Sequence, residues 1–300
     1  MKYLSVSDYL KNTYKTKVYK LSLQSGCTCP NRDGTISLGG CTFCSEGGSG
    51  EYAAPFLAVR DQINIAREKV DKKISNNIPL KNRRYIAYFQ SYTNTYGDVE
   101  RLKCLYKEAI NEEQVVILSI GTRPDCLSDE IIDMLKELNS IKPVWVELGL
   151  QTIHEETAIR INRGYALDVF EKSYQKLKAA GLTVIVHTIL YLPGEGEDEI
   201  LETIKYLADL SPRLDGIKLQ GLQVLKGTKI GEEYLKEHFY IPSLEEYADT
   251  VIKCLGIIPE GVVVHRITGD GPKNLLIEPK WSANKKLVLN TLKNRIDKAV

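Results

Sequence analysis

The sequence predicts an α/β protein in which strands and helices alternate, and it favours a barrel over an open sheet. Short runs of β-branched and aromatic residues recur between amphipathic helical segments, which is the pattern of βα units. Both architectures place their chemistry at the carboxyl ends of the strands. Glycine and polar residues follow six of the predicted strands, and six loops converging on one rim favour the barrel.

Seven segments have the length and the β-branched or aromatic content of strands. In chain order they are 18–23, 85–89, 115–120, 144–148, 183–188, 216–219 and 262–265. Between them, apolar residues three or four positions apart predict helices, because that spacing places them on one helical face. The clearest are the helices around 131–138, 170–177 and 200–207. Ser128 is a typical helix start and Gly181 a typical helix end.

Six of the seven predicted strands are followed by a loop rich in glycine and polar residues. These loops cover residues 26–50, 90–94, 121–125, 149–151, 192–195 and 268–271. The last ~20 residues, from Lys280, lie outside the repeating pattern and form a lysine-rich helix.

The composition excludes several classes of protein. Three hundred residues fit one large α/β domain or two small ones, and 43% hydrophobic with 26% charged residues excludes a disordered or fibrous chain. No apolar run approaches the ~20 residues of a membrane helix, and the start of the chain lacks a signal-peptide pattern, so we expect a cytoplasmic protein with no membrane partner. The net charge of +1 leaves a nucleic-acid partner open but requires a local basic patch.

The most informative motif is a group of four cysteines in the glycine-rich loop 26–50: Cys27, Cys29, Cys41 and Cys44. An odd total of seven cysteines in a chain without a secretion signal favours metal binding or catalysis over disulfides. Four thiolates could close a tetrahedral zinc site, whereas three could hold an iron–sulfur cluster with one iron open to a ligand. Spacing alone does not decide between the two.

The segment CPNRDGT…GGCTFC resembles the cluster-binding loop of radical S-adenosylmethionine (SAM) proteins, specifically the bacterial YhcC/YtqA type related to the Elongator catalytic subunit. Further similar segments follow in the same order along nearly the whole chain. They are YFQSYTNTYG at 88–97, SIGTRPDCL at 119–127, ELGLQT at 147–152, NRGY at 162–165, HTILYLPGE at 187–195, LQVLKGT at 222–228, HRITGDGP at 265–272 and EPKWSANK at 278–285.

The resemblance implies a fold and a metal centre. The fold is a partial (βα)6 TIM-like radical SAM barrel over residues 1–275, with the cluster loop at 26–50 and a C-terminal basic helical extension at 276–300. Cys29, Cys41 and Cys44 are implied to hold a [4Fe–4S] cluster whose fourth iron binds SAM. Cys27 stands where relatives commonly carry an aromatic residue, so it is left out of the site.

The resemblance also implies contacts to SAM. Gln90, Ser91, Tyr92 and Thr93 align with the motif that pairs with the methionine amino group. Gln151, Arg163 and His187 align with residues that grip the carboxylate and ribose; an arginine suits a carboxylate because its planar fork binds two oxygens. Each also has an ordinary structural interpretation: His187 as a core histidine, and Arg163 as the partner of a helix carboxylate.

The chain departs from several relatives in one respect. They carry a glutamate before TRPD, and this chain has Gly121, which leaves Asp125 as a substitute.

The implied activity is reductive cleavage of SAM with an electron from flavodoxin or ferredoxin. Kinship with the Elongator subunit points to tRNA, as an MnmL-type enzyme maturing a C5 side chain on wobble uridine. Two basic groups support an RNA partner: 69–84 and the C-terminal helix. The alternatives are a radical SAM enzyme acting on a small metabolite or protein, and a non-catalytic RNA-binding protein with structural zinc.

Overall fold

The computed structural model describes residues 3–48, 50–75, 78–269 and 271–298. It confirms the predicted α/β partial barrel, and each of the seven predicted strands is present. The strands are β1 Leu4–Ser5, β2 Val18–Leu23, β3 Arg84–Phe89, β4 Val115–Thr122, β5 Val144–Gln151, β6 Thr183–Leu190, β7 Gly216–Gly221, β8 Val224–Leu225, β9 Val263–Arg266 and β10 Leu276–Glu278. The sequence patterns did not indicate the short strands β1, β8 and β10.

Eight strands form one curled parallel sheet in the order β1-β9-β7-β6-β5-β4-β3-β2. Helices connect successive strands. They are α1 Val6–Tyr14, α2 Val59–Asp71, α3 Val99–Asn111, α4 Asp129–Asn139, α5 Glu155–Arg160, α6 Leu167–Ala179, α7 Glu197–Ala208, α8 Lys229–Lys236, α9 Leu244–Ile257 and α10 Lys285–Lys298. The predicted boundaries hold at α4, where the Ser128 hydroxyl accepts from the Ile131 amide, and after α6, where Gly181 has φ +73°.

Side chains alternate between the two faces of the sheet, as the two-residue repeat of a strand requires. In β3, Tyr85, Ala87 and Phe89 face outward into the core beneath the helices. Ile86 and Tyr88 face inward and belong to a separate apolar cluster. The outer face therefore holds the barrel together, and the inner face is available to build a site.

Helix α1 closes the amino-terminal end of the lumen. It contacts β1, β2 and β9, the strands on either side of the gap in the sheet. Its Leu10 joins Val18, Ile117 and Trp145 in the inner apolar cluster. With this end plugged, the lumen opens at the carboxyl ends of the strands, where the predicted loops gather.

The segment after residue 275 packs directly on the barrel. Strand β10 pairs antiparallel with β8, and α10 packs on α9 through its buried Val288, Leu292 and Ile296. The domain division at 275/276 stays a prediction. Among the described residues, no helix combines the length and apolar character needed to cross a membrane.

Candidate active site

Three of the four loop cysteines line one cavity at the carboxyl ends of the strands. Cys29, Cys41 and Cys44 all contribute to the wall of this cavity, which has a volume of about 750 Å³. They lie in the long loop between β2 and α2. The Cys44 amide donates to the Cys41 carbonyl at 3.0 Å, so a tight turn closes the CxxC pair.

The fourth cysteine, Cys27, lies elsewhere. It does not line the cavity, and it belongs to the outer core cluster with a relative exposure of 9%. Its Sγ accepts a hydrogen bond from Arg101 Nη2 at 3.3 Å. This placement agrees with leaving Cys27 out of the metal site.

Polar groups surround the three thiols. Asn31 Nδ2 lies 3.5 Å from Cys41 Sγ, and Arg32 Nη2 donates to the Cys44 carbonyl at 3.1 Å. Burial, and then the neighbouring Cys44, raises the pKa of the Cys41 thiol to about 12. The metal-free thiol therefore keeps its proton at neutral pH, and metal binding must displace that proton.

The donor set fits an iron–sulfur cluster better than a single zinc ion. Within the described ranges, no group of three or more His, Cys, Asp or Glu side chains is arranged to hold one metal ion. Three thiols nevertheless share a wall of a roomy cavity, and a multi-iron cluster needs its thiolates spread over several metals. With Cys27 turned away, a tetrahedral four-thiolate zinc site lacks its fourth ligand.

The NRGY segment holds the cysteine loop against the barrel. The Asn162 side-chain amide donates to the Gly40 carbonyl at 2.9 Å, and Asn31 Nδ2 donates to the Asn162 carbonyl at 2.6 Å. The Thr42 amide donates to the Ile161 carbonyl at 2.9 Å. These bonds fix the loop on both sides of Cys41, which assigns the first residue of the segment a structural role.

Three of the four residues predicted to meet the methionine amino group reach the cavity. Gln90, Tyr92 and Thr93 line it, whereas Ser91 does not. Ser91 is 3% exposed, and its Oγ has no hydrogen-bond partner among the described residues. Gly50 packs so closely that a Cβ there would lie 1.8 Å from this oxygen. The structure thus places Ser91 under the cysteine loop and outside the cavity wall.

Gln151 lines the cavity from an irregular strand end. The β5–β6 register shifts between Gly149 and Gln151, and Gln151 has φ +69°. Such bulges re-aim side chains near active sites. The Tyr165 hydroxyl donates toward both the Gly149 carbonyl at 2.8 Å and Gln151 Oε1 at 3.2 Å. Tyr165 therefore orients the Gln151 amide.

Arg163, predicted to contact SAM, lies behind the cavity wall, and its predicted contact stays a prediction. It is 1% exposed and does not line the cavity. Its Nε donates to the Tyr165 carbonyl at 2.9 Å, its Nη1 to the Thr152 carbonyl at 2.7 Å, and its Nη2 pairs with Glu155 of α5 at 3.2 Å. Because the Arg163 guanidinium is bonded to these partners, the structure supports its interpretation as the partner of a helix carboxylate.

A different arginine, Arg123, lines the cavity beside the thiols. Its guanidinium binds both carboxylate oxygens of Asp125, at 2.9 and 2.7 Å, and lies 5.0 Å from the Tyr165 ring centroid. Its charge acts on Cys29 and Cys41. Asp125, expected as a substitute carboxylate for the cofactor, is thus engaged by Arg123 and is absent from the cavity lining.

His187 lines the cavity and belongs to a buried charged group that the sequence analysis missed. The Glu147 carboxylate has no exposed side-chain surface, and it contacts His187 Nε2 at 2.9 Å, Lys20 Nζ at 2.9 Å, Ser119 Oγ at 2.9 Å and Lys218 Nζ. The signal in the sequence was a single charged residue within each of three apolar strands, because a charge facing a core needs a partner.

The protonation states of this group follow from burial and charge. Burial alone would raise the pKa of Glu147, but Lys20 and Lys218 outweigh it and hold that pKa well below its usual range. Burial, then the charge of Lys218, lowers the pKa of His187 to about 4. At neutral pH His187 is therefore uncharged. Because the Glu147 carboxylate only accepts, Nε2 carries the imidazole proton and Nδ1 is an acceptor.

Two basic side chains from the end of α2 and just beyond it line the cavity. They are Lys69 and Lys73, from the first predicted basic group. Other members of both groups form ion pairs: Arg83 with Asp71 at 2.9 Å, and Arg295 of α10 with Asp249. Only part of each predicted patch therefore remains for a phosphate backbone.

Comparisons with known proteins agree with this geometry. The Radical SAM superfamily model matches residues 27–207, and the model of the Radical_SAM C-terminal domain matches 214–298. YtqA of Bacillus subtilis is 41% identical, over 99% of this chain and 90% of that protein. YhcC of Escherichia coli is 36% identical, over 92% and 86%.

Similarity to Elongator proteins is more partial. Elongator complex protein 3 of Drosophila melanogaster is 31% identical. The match covers 60% of this chain and 30% of that protein. The solved structure of Methanocaldococcus infernus Elp3, lacking residues 1–46 of its N-terminus, superposes with a TM-score of 0.69 at 20% identity. That match covers 93% of this chain and 63% of the Elp3 chain, so it supports the fold alone.

Proposed function

This chain belongs to the radical SAM superfamily and is related to YtqA, YhcC and Elp3, and from that premise we propose that it modifies a C5 side chain of wobble uridine in tRNA. Its cofactors are a [4Fe–4S] cluster and SAM. The observation that carries the radical SAM chemistry of this proposal is the wall of three thiols at the strand ends, with Cys27 outside it. When bound, these cofactors supply a 5′-deoxyadenosyl radical that abstracts hydrogen from the substrate.

We assign Cys29, Cys41 and Cys44 as the cluster ligands. Arg32 and Arg123 supply positive charge beside them, which offsets the negative charge of the thiolates. Asn31 adds an N–H near Cys41. The chain's contribution at this wall is thus to hold three thiolates and to stabilise them electrostatically.

The polar residues on the rim are proposed to hold SAM. Gln90, Tyr92 and Thr93 face the cavity beside the cysteine loop, within reach of a methionine amino group bound there. Gln151 is fixed by Tyr165, and neutral His187 offers an acceptor nitrogen suited to a ribose hydroxyl. These groups orient the bound molecule and do not themselves react.

The proposed tRNA substrate rests on the similarity to Elongator complex protein 3 and on the lysines that line the cavity. Lys69 and Lys73 are exposed cations that could contact the phosphates of a bound nucleotide. We further propose flavodoxin or ferredoxin as the electron donor and the cytoplasm as the location.

Mass spectrometry of tRNA nucleosides tests the substrate proposal. Cells lacking the gene should accumulate a precursor of one modified uridine, and wild-type protein should restore the product. A Cys29→Ala variant should not restore it, whereas Cys104→Ala, a matched change at an exposed cysteine, should. A nucleoside profile identical with and without the gene would rule out tRNA as the substrate.

A further inference from the structure

The deep end of the cavity holds three basic side chains, of which Lys218 has its pKa lowered well below the usual range by burial. Lys20 of β2, Lys218 of β7 and Arg266 of β9 all line the cavity there. Lys20 and Lys218 each precede the last residue of their strand by three positions, so they lie about 10 Å below the rim at ~3.3 Å per residue. Glu147 is the carboxylate that faces them.

Glu147 is already saturated. One of its oxygens receives Lys20 and Ser119, and the other receives His187 and Lys218. Arg266 has a neutral partner, Gln220 Oε1 at 3.2 Å, and within the described residues its guanidinium forms no ion pair. Arg266 is half-buried, so its guanidinium keeps donors that can meet an anion entering the cavity.

Protein atoms do not fill the space around these cations. A second cavity, of about 270 Å³, lies toward α1, and it is also lined by Lys20, Lys218 and Arg266. The three side chains thus stand between two cavities. The Lys20 side chain retains 31% exposure even though it is paired with Glu147. The lumen therefore has space for a small anionic group and hydrogen-bond donors that can bind it.

We infer that this group of side chains, Lys20, Lys218 and Arg266, is a substrate subsite for an oxyanion, that is, a carboxylate or phosphate carried by the reacting part of the substrate. The planar fork of Arg266 suits two oxygens of one anionic group, and Lys20 adds a point charge. The inference rests on the proposed function, since it specifies the substituent that enters the lumen. Gln90, Tyr92 and Thr93, assigned to the methionine end of SAM, lie at the strand ends above this subsite, whereas His187 pairs in register with Lys218 and borders it.

Binding measurements on the anaerobic, cluster-loaded protein test the subsite without turnover. The probes are the nucleosides 5-carboxymethyluridine and 5-carbamoylmethyluridine, which differ in charge but hardly in shape, together with uridine 5′-monophosphate. Two anticodon stem-loop RNAs complete the set of probes. One carries 5-carboxymethyluridine at the wobble position, and the other carries 5-carbamoylmethyluridine there. Wild-type protein should prefer an anionic probe over the carboxamide by about tenfold or more, the size of a charge-assisted hydrogen bond.

Arg266→Gln should abolish that preference while leaving carboxamide and SAM affinities unchanged, and Lys20→Gln should abolish the preference as well. Lys11→Gln, at an exposed position on α1, removes the same charge elsewhere and should change nothing. Preference for the carboxylate identifies a carboxylate substrate, and preference for the monophosphate identifies a phosphate. Equal affinity for charged and neutral probes, or loss of SAM binding in Arg266→Gln, would overturn the inference. Discrimination among nucleosides without binding of either RNA would uphold the subsite and refute the tRNA proposal.

Discussion

A His187→Gln substitution should reduce the loss of unfolding free energy that the protein shows when the pH falls from 6.5 toward 4. The imidazole has its pKa lowered from 6.5 to about 4, first by burial and then by Lys218. Between these values the unfolded chain binds a proton that the folded protein refuses, so stability falls as the pH falls from 6.5 toward 4. Glutamine keeps an N–H for Glu147 but does not titrate.

The magnitude follows from the size of the shift. At about pH 5.5, one unit below the pKa of histidine in the unfolded chain, the neutral His187 lowers the unfolding free energy by about 1.4 kcal/mol. Near pH 7.5 this destabilisation vanishes. Urea unfolding of wild-type and variant protein at these two pH values measures it. Wild type should lose about 1.4 kcal/mol more than His187→Gln on acidification.

The exposed His238 provides the control, since His238→Gln should lose as much stability as wild type. Equal acid losses in wild type and His187→Gln would refute the assignment of a neutral, buried imidazole. That result would also remove the argument that Nδ1 is an acceptor for the ribose of SAM.

Two further substitutions probe the cavity wall. Tyr165→Phe removes the hydroxyl that orients Gln151, so it should weaken SAM binding several-fold. It should also lower the unfolding free energy by about 1 kcal/mol. Unchanged SAM affinity by calorimetry would contradict the orienting role. Gly50→Ala places a Cβ 1.8 Å from the Ser91 hydroxyl and should destabilise the cysteine loop by about 1–3 kcal/mol. The atoms nearest to a Cβ at Gly47 belong to the flexible Glu51 side chain, at 3.4 Å, so Gly47→Ala should be nearly neutral. Similar iron retention in both alanine variants would count against the packing argument.

The barrel was predictable because its strands carry strong local signals. β-branched runs between amphipathic helices identify β2 through β7 and β9 regardless of tertiary context. Strands β1, β8 and β10 have two or three residues each and depend on their partners, so no local pattern indicates them. The sequence pattern placed the cysteine loop correctly because it directly follows a strand.

The interior of the site was less predictable, because it depends on which side chains meet across the barrel. Arg163 and Arg123 lie forty residues apart and both flank Tyr165, yet only Arg123 reaches the cavity. Alignment with relatives points to Arg163 and gives no indication that Arg123 lines the cavity. Glu147 and Lys218 each stand alone in an apolar strand, and only the curvature of the sheet brings them together.

The central claim is that three cysteines, and not four, hold an iron–sulfur cluster that cleaves SAM. The most direct measurement is iron content and reductive formation of 5′-deoxyadenosine in anaerobically purified Cys29→Ala and Cys27→Ala variants. Cys27→Ala should keep about four irons per chain and cleave SAM like wild type, whereas Cys29→Ala should lose cleavage. Zinc in place of iron, or equal loss of cleavage in both variants, would contradict the claim.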